Sequence, residues 1–243
     1  MERDTALQAV FEPVQTLTSF EGTVERLGTA IRLGLLAPGS QLPPERDLAT
    51  ELGISRSTLR GALTTLVQSG HLVSLRGRSG GTFVAENPPL TDVSNPLGER
   101  TEAAIDFRVA IEAGAVILAC ERCDDSDCDR LSKLVDRMDE PTDFEEYRRI
   151  DTRFHLGLAE AAHSPRLVAA MTEVQSEMTD LIALIAHPPE VLSRSNDQHR
   201  RLVAQLRRGA RARALRTIRD HVEGTEHILV GLLPAKPAGS GAG

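Results

Sequence analysis

Between residues 101 and 233 apolar side chains recur every three or four positions with only short interruptions, and this rhythm constrains the fold more than any other feature of the chain. Six segments carry it: "TEAAIDFRVAIEAGAVILACERC", "DSDCDRLSKLVDRM", "DFEEYRRIDTRFHLGLAEAA", "SPRLVAAMTEVQSEMTDLIALIA", "SRSNDQHRRLVAQLRR" and "ARARALRTIRDHVEGTEHILVGLL". Breaks this short leave consecutive helices as antiparallel neighbours, so the stretch reads as an all-α antiparallel bundle. The 3% aromatic content agrees, because a core of Leu, Ala and Val favours helices on aliphatic seams over a sheet. The expected fold class is mainly α.

Ahead of the bundle, "NPPLTDVSNPLGE" is rich in proline and without periodicity, which marks a linker. The expected domains are 1–86, a linker over 87–100, a helical domain over 101–233, and a disordered tail over 234–243. In the first domain "GTVERLGTAIRLGLL" aligns Val24, Leu27, Ile31 and Leu35 as one helix face. Pro43 and Pro44 then open "PERDLATEL", Gly53 breaks it, and Ser55 is placed to cap "RSTLRGALTTLVQSG". "HLVSLRG" and "GTFVAE" flank the loop "RGRSGG" and read as a β-hairpin. Together these make a winged helix-turn-helix, whose second turn helix enters the DNA major groove. On that helix Leu59, Ala62, Leu63 and Leu66 face inward, and Ser57, Arg60, Gly61, Thr64 and Thr65 face out.

The net charge of −7 excludes a basic nucleic-acid coat, but its distribution is uneven. Residues 52–85 hold no Asp or Glu and carry Arg56, Arg60, Arg76 and Arg78, whereas residues 87–233 hold 19 basic against 26 acidic side chains. No apolar run reaches the roughly 18 residues of a membrane span, and the first residues lack a signal pattern, so a cytoplasmic protein without a membrane partner is expected. Cys120, Cys123 and Cys128 are spaced C-x-x-C-x-x-x-x-C with no fourth ligand nearby; with Cys120 ending an apolar run, a structural or incidental role is the better reading.

Within "IDTRFHLGLAEAA" the apolar arc of Ile150, Phe154, Leu158, Ala161 and Ala162 also takes in Asp151 and His155. A desolvated carboxylate costs several kcal/mol unless a positive or hydrogen-bonding group meets it, so the pair demands a partner. The same wheel turns His199 inward beside Leu202, Val203 and Leu206, and His221 beside Ala214, Ile218 and Ile228. Gly209 turns the chain between them, and the two histidines lie roughly 15 and 18 Å from it along their helices, so a hairpin sets them nearly level. Asp151, His155, His199 and His221 thus form a candidate three-histidine, one-carboxylate site for a divalent first-row metal, zinc first, with nickel or manganese as alternatives. Alone, any one of these histidines would read as a satisfied core residue. His71, His163, His187 and His227 fall at helix ends, in loops or on a polar face and read as incidental.

The strings "PGSQLPPERDLA", "LGISRSTLR" and "RGRSGGTFV" resemble, over about fifty residues in order, the DNA-binding domain of the GntR family of bacterial transcription regulators. That resemblance implies operator contacts by Arg46, Arg56 and Arg60, with Ser57 and Thr58 beside the backbone and the wing loop at Arg76 and Gly77 in the minor groove. D-x-x-x-H at 151–155, "DQHRRLVAQLRRGARARALRTIRDHV", and Arg108 with Glu112 resemble the FCD-type effector domain of the FadR-like branch. By that likeness Asp151, His155, His199 and His221 hold the metal, and Arg108 meets a carboxylate effector; its alternative role is an intrahelical pair with Glu112 worth a few tenths of a kcal/mol. Two positions depart from the family: Gly61 where Glu is usual, costing about 1 kcal/mol of helix stability, and Gln198 where an acid often precedes the histidine.

The expected function is a homodimeric repressor that binds a pseudo-palindromic double-stranded operator and changes its affinity when a small organic acid binds at the metal. Three rivals stand beside it: a metal-free regulator with an apolar or acyl ligand, which would leave Asp151 buried without compensation; a purely structural metal; and a metal-dependent enzyme, for which no nucleophile or phosphate loop is visible.

Overall fold

The computed structural model describes residues 19–77, 80–89, 97–140, 143–183, 185 and 187–232; Arg78 and the expected tail lie outside them. The chain divides into two compact units, one of Met1–Pro96, Leu184–Glu190 and Gly224–Gly243, the other of Leu97–Ala183 and Val191–Glu223.

The first unit contains α1 (Ser19–Arg32), α2 (Glu45–Leu52), α3 (Arg56–Gln68), β1 (Leu72–Leu75) and β2 (Gly81–Val84). α1 buries Phe20, Val24, Leu27 and Ile31, and α3, packed against it, buries Leu59, Ala62, Leu63 and Leu66. Ser55 caps α3, its Oγ accepting the Thr58 N–H at 3.0 Å. The strands pair antiparallel, Leu72 opposite Val84 and Leu75 opposite Gly81, as the hairpin reading requires. Thr65, expected on the outward face, is buried instead. α3 is covered by α1, α2 and β1 together, so its hidden arc is wider than its aliphatic stripe.

The second unit is built from α4 (Leu97–Arg122), α5 (Asp125–Met138), α6 (Phe144–Ala161), α7 (Pro165–Ile182), and most of α8 (Pro189–Leu206) and α9 (Arg211–Leu232). α6 packs against α4, α5 and α7, and Val116, Leu131, Val135, Phe154, Leu158, Leu202, Leu206 and Ile218 share one core. Gly209 turns α8 into α9 with φ +59°, a left-handed conformation that glycine takes without a steric penalty. Two boundaries differ from expectation. α4 starts at Leu97, inside the expected linker, since Pro96 is the last residue there that opposes a helix. The end of α9 from Gly224 groups with the first unit, because Ile228, Leu229 and Leu232 are buried there and Gly231 lies against the α1 backbone. Cys128 rather than Cys120 is the most buried cysteine, and all three are free. Among the described residues no helix is long and apolar enough to cross a membrane.

Candidate metal centre and nucleic-acid interface

α6 is started by Asp143, whose carboxylate accepts the Glu146 N–H at 2.8 Å, and its inward face carries Arg148, Asp151, Phe154 and His155. α8 brings His199 and α9 brings His221 to the same place. The three imidazole centroids lie 4.7 to 5.3 Å apart, and one ring nitrogen of each comes within 4.8 Å of the others. Asp151 Oδ1 is 3.8 Å from both His155 Nε2 and His199 Nε2. The four expected ligands therefore converge in the interior of the second unit.

The surroundings orient them. Gln198 Oε1 lies 3.0 Å from His221 Nδ1, which turns the Nε2 of that ring toward the other two imidazoles. Arg108 Nη2 approaches that same Nε2 at 3.0 Å, while Arg108 Nε donates to Glu112 Oε1 at 2.7 Å. Glu112 Oε2 in turn sits 3.0 Å from His155 Nδ1. The Arg108–Glu112 pair is buried, so it is no solvated surface bridge of small worth. Asp151 Oδ2 accepts from Arg148 Nη1 at 2.5 Å, and Arg148 Nη2 reaches Thr179 Oγ1 at 3.2 Å and Gln175 Oε1 at 3.3 Å. Arg148 is thus the partner that Asp151 demanded, and Asp151 is compensated even with no ion beside it.

Electrostatics favour ligation. Burial holds His199 down at about 3 and pushes His221 well below its ordinary value, so both rings are neutral at neutral pH, the lone pair of His221 Nε2 facing Arg108. For Glu112, burial alone would raise the pKa, but Arg108 and His155 overcome it and bring the carboxyl down to about 2. Asp151 is likewise lowered, His155 and Arg148 outweighing desolvation. Neither nitrogen of His199, nor His155 Nε2, has a hydrogen-bond partner among the described residues, although all are buried. Orphaned imidazole nitrogens that converge beside a carboxylate fit a divalent ion.

Glu112, Arg148, Gln175 and Thr179 were not singled out as part of this site from the sequence. Within α4 Glu112 reads only as the salt-bridge partner of Arg108; its approach to His155 is a contact between helices that no spacing within α4 reveals. Of the remaining histidines, His71 is buried beside Ser69, His163 meets Asp127, and His227 meets Glu25.

On the first unit, Arg56, Ser57 and Arg60 are exposed along the first turns of α3, with Thr58 half-buried. Ser57 Oγ and Thr58 Oγ1 each lie 2.8 Å from Ser55 Oγ, so two of the expected backbone contacts are held by the cap. Arg60 Nη2 donates to Glu45 Oε2 at 2.8 Å, and Arg46 on α2 pairs with Asp47 at 3.1 Å. Arg76 and Gly77 follow β1 in the exposed hairpin loop.

Comparison with known proteins gives two family matches, bacterial regulatory proteins of the gntR family over residues 20–84 and the FCD domain over residues 103–224. The HTH-type transcriptional regulator RmpR of Mycobacterium gastri is 34% identical over 88% of this chain and 81% of its own length. An L-lactate dehydrogenase operon regulatory protein of Escherichia coli is 30% identical over 77% of each. The solved structure of E. coli McbR/YncC aligns with a TM-score of 0.50 at 22% identity, covering 86% of this chain and 96% of that one, a likeness of fold.

Proposed function

The chain belongs to the gntR family of bacterial regulatory proteins and carries an FCD domain, which makes it a DNA-binding transcription regulator rather than an enzyme, and from this premise we propose that it is a cytoplasmic, homodimeric repressor whose affinity for a pseudo-palindromic operator is set by a small organic acid bound at a metal. The observation that carries the reading is the convergence of Asp151, His155, His199 and His221 in a buried site where imidazole nitrogens lack partners. Asp151 Oδ1 and the three histidines would hold a divalent ion, zinc first, with nickel or manganese as alternatives. Such an ion supplies open coordination positions to a carboxylate. Arg108 Nη2 faces the same His221 nitrogen, so an ion bound there would displace it and free its guanidinium to meet an acid on that ion. The relative named for an L-lactate dehydrogenase operon supports small hydroxy acids as the first compounds to try.

Because Arg148 neutralises Asp151, a metal-free regulator keeps a physical basis, and it is the second reading. Elemental analysis and thermal unfolding separate the two. Unfolding is followed by circular dichroism, the chain having no tryptophan, on metal-loaded and chelator-stripped protein against carboxylates and acyl compounds. About one ion per chain is expected, with a carboxylate at a hundred times its Kd adding about 2.7 kcal/mol to the loaded form alone. A protein that retains no metal and responds only to apolar compounds supports the second reading instead.

A further inference from the structure

The ionised groups around the three histidines form a closed set, and their sum constrains the ligand. Each of the two acids is shared: Glu112 between Arg108 and His155, Asp151 between Arg148, His155 and His199. The other buried acid of this unit among the described residues, Asp127, is taken up by Arg130 and His163. The imidazoles must be neutral to ligate. Two guanidiniums therefore balance two carboxylates, and a divalent ion at the histidines leaves two positive charges uncompensated in a desolvated interior, a costly state.

Arg148 cannot retreat to solvent, so its charge stays in that sum. Its side chain is only 9% exposed, Nη1 and Nη2 are tied to Asp151, Thr179 and Gln175, and Nε has no hydrogen-bond partner among the described residues. We propose that the effector is a small dianion, a dicarboxylate rather than a monocarboxylate, and that Arg148, as a buried positive charge that stays in the sum, helps to set this charge requirement. The inference rests on the metal-and-acid reading above. One carboxylate would meet the ion beside Arg108, and the second negative charge would complete the balance of the site. Arg148 is in this sense a specificity determinant and no metal ligand.

The test is isothermal titration of the zinc-loaded full-length protein, at fixed pH and ionic strength, with malonate, succinate and malate against acetate, propionate and L-lactate. Malate is also compared with its monomethyl ester, which has nearly its size and one charge fewer. The best dicarboxylate should bind at least tenfold more tightly than the best monocarboxylate and malate at least tenfold more tightly than its ester. Arg148→Gln should remove most of that preference and Arg148→Lys should keep it. Should Arg148→Gln fail to fold, the malate and ester pair on the unaltered protein still decides the charge requirement. A zinc-loaded protein that binds lactate as tightly as malate, or a preference that Arg148→Gln leaves untouched, overturns this inference alone. A protein that retains no zinc, or binds acids of neither class, overturns the reading it rests on.

Discussion

His71 is 2% exposed, and its Nδ1 lies 2.9 Å from Ser69 Oγ, whose own proton goes to the Leu66 carbonyl at 3.1 Å, so Nδ1 carries the hydrogen of a neutral ring. Burial, reinforced by the nearby charge of Arg32, lowers its pKa to about 4 from the ordinary 6.5. Between those values the unfolded chain takes up a proton that the native ring refuses. The stability His71 confers is thus complete above pH 6.5 and is lost as the pH falls toward 4, by about 3 kcal/mol at most. Thermal unfolding at pH 7 and pH 4.5 should show that loss in the native chain and a shallower acid limb in His71→Asn; an equally steep limb in the variant refutes the assignment. The same scale shows what was legible at the candidate metal centre. Asp151, His155, His199 and His221 could be read because each breaks an apolar arc of its own helix. Arg148 stood within about 20° of His155 on the same wheel and was legible too, yet an arginine beside Arg149 reads as solvated unless its partner is known. Glu112 and Gln175 were not legible as neighbours of the site, because the side chains that give them meaning come from other helices.

At the scale of elements, α9 has two duties. Its first part carries His221, and its last two turns belong with the winged domain, where Arg32 Nη1 donates to the Val230 carbonyl at 2.8 Å and His227 Nδ1 meets Glu25 Oε2 at 2.5 Å. The helices meet backbone to backbone: a Cβ at Gly231 would stand 2.6 Å from Glu25 Cα, and one at Gly28 would collide with the Gly231 carbonyl. Gly231→Ala must therefore push α1 and the end of α9 apart, lowering stability by about 1 to 3 kcal/mol. A melting temperature unchanged by that substitution would show that the contact is not maintained in solution. The sequence announced every helix and the hairpin among the described residues, since periods of 3.6 and 2 and the cap at Ser55 are local signals. The allegiance of residues 224–232 was not announced, because the apolar positions that bury them continue the same stripe that packs Ala214 and Ile218 into the bundle.

For the whole molecule, the electrostatic problem is how a chain of net charge −7 approaches a polyanion. The acid-free stretch 52–85 supplies the answer, since it spans α3 and the wing, and Arg56, Arg60 and Arg76 are all exposed there. Arg60 is restrained by Glu45, an exposed pair of little intrinsic worth that can open when a stronger acceptor arrives. Two kinds of contact then predict different results. An arginine bonded to a base edge should, when replaced by alanine, lose about 1 to 3 kcal/mol on the selected operator and little on random duplex. One bonded to phosphate should weaken both alike and lower the salt slope by about one unit. Binding isotherms of Arg56→Ala and Arg60→Ala across a salt series, on a duplex selected from a random pool, distinguish these outcomes residue by residue. Folded variants that bind the selected duplex as well as the native chain, at every salt concentration, would remove α3 from the interface.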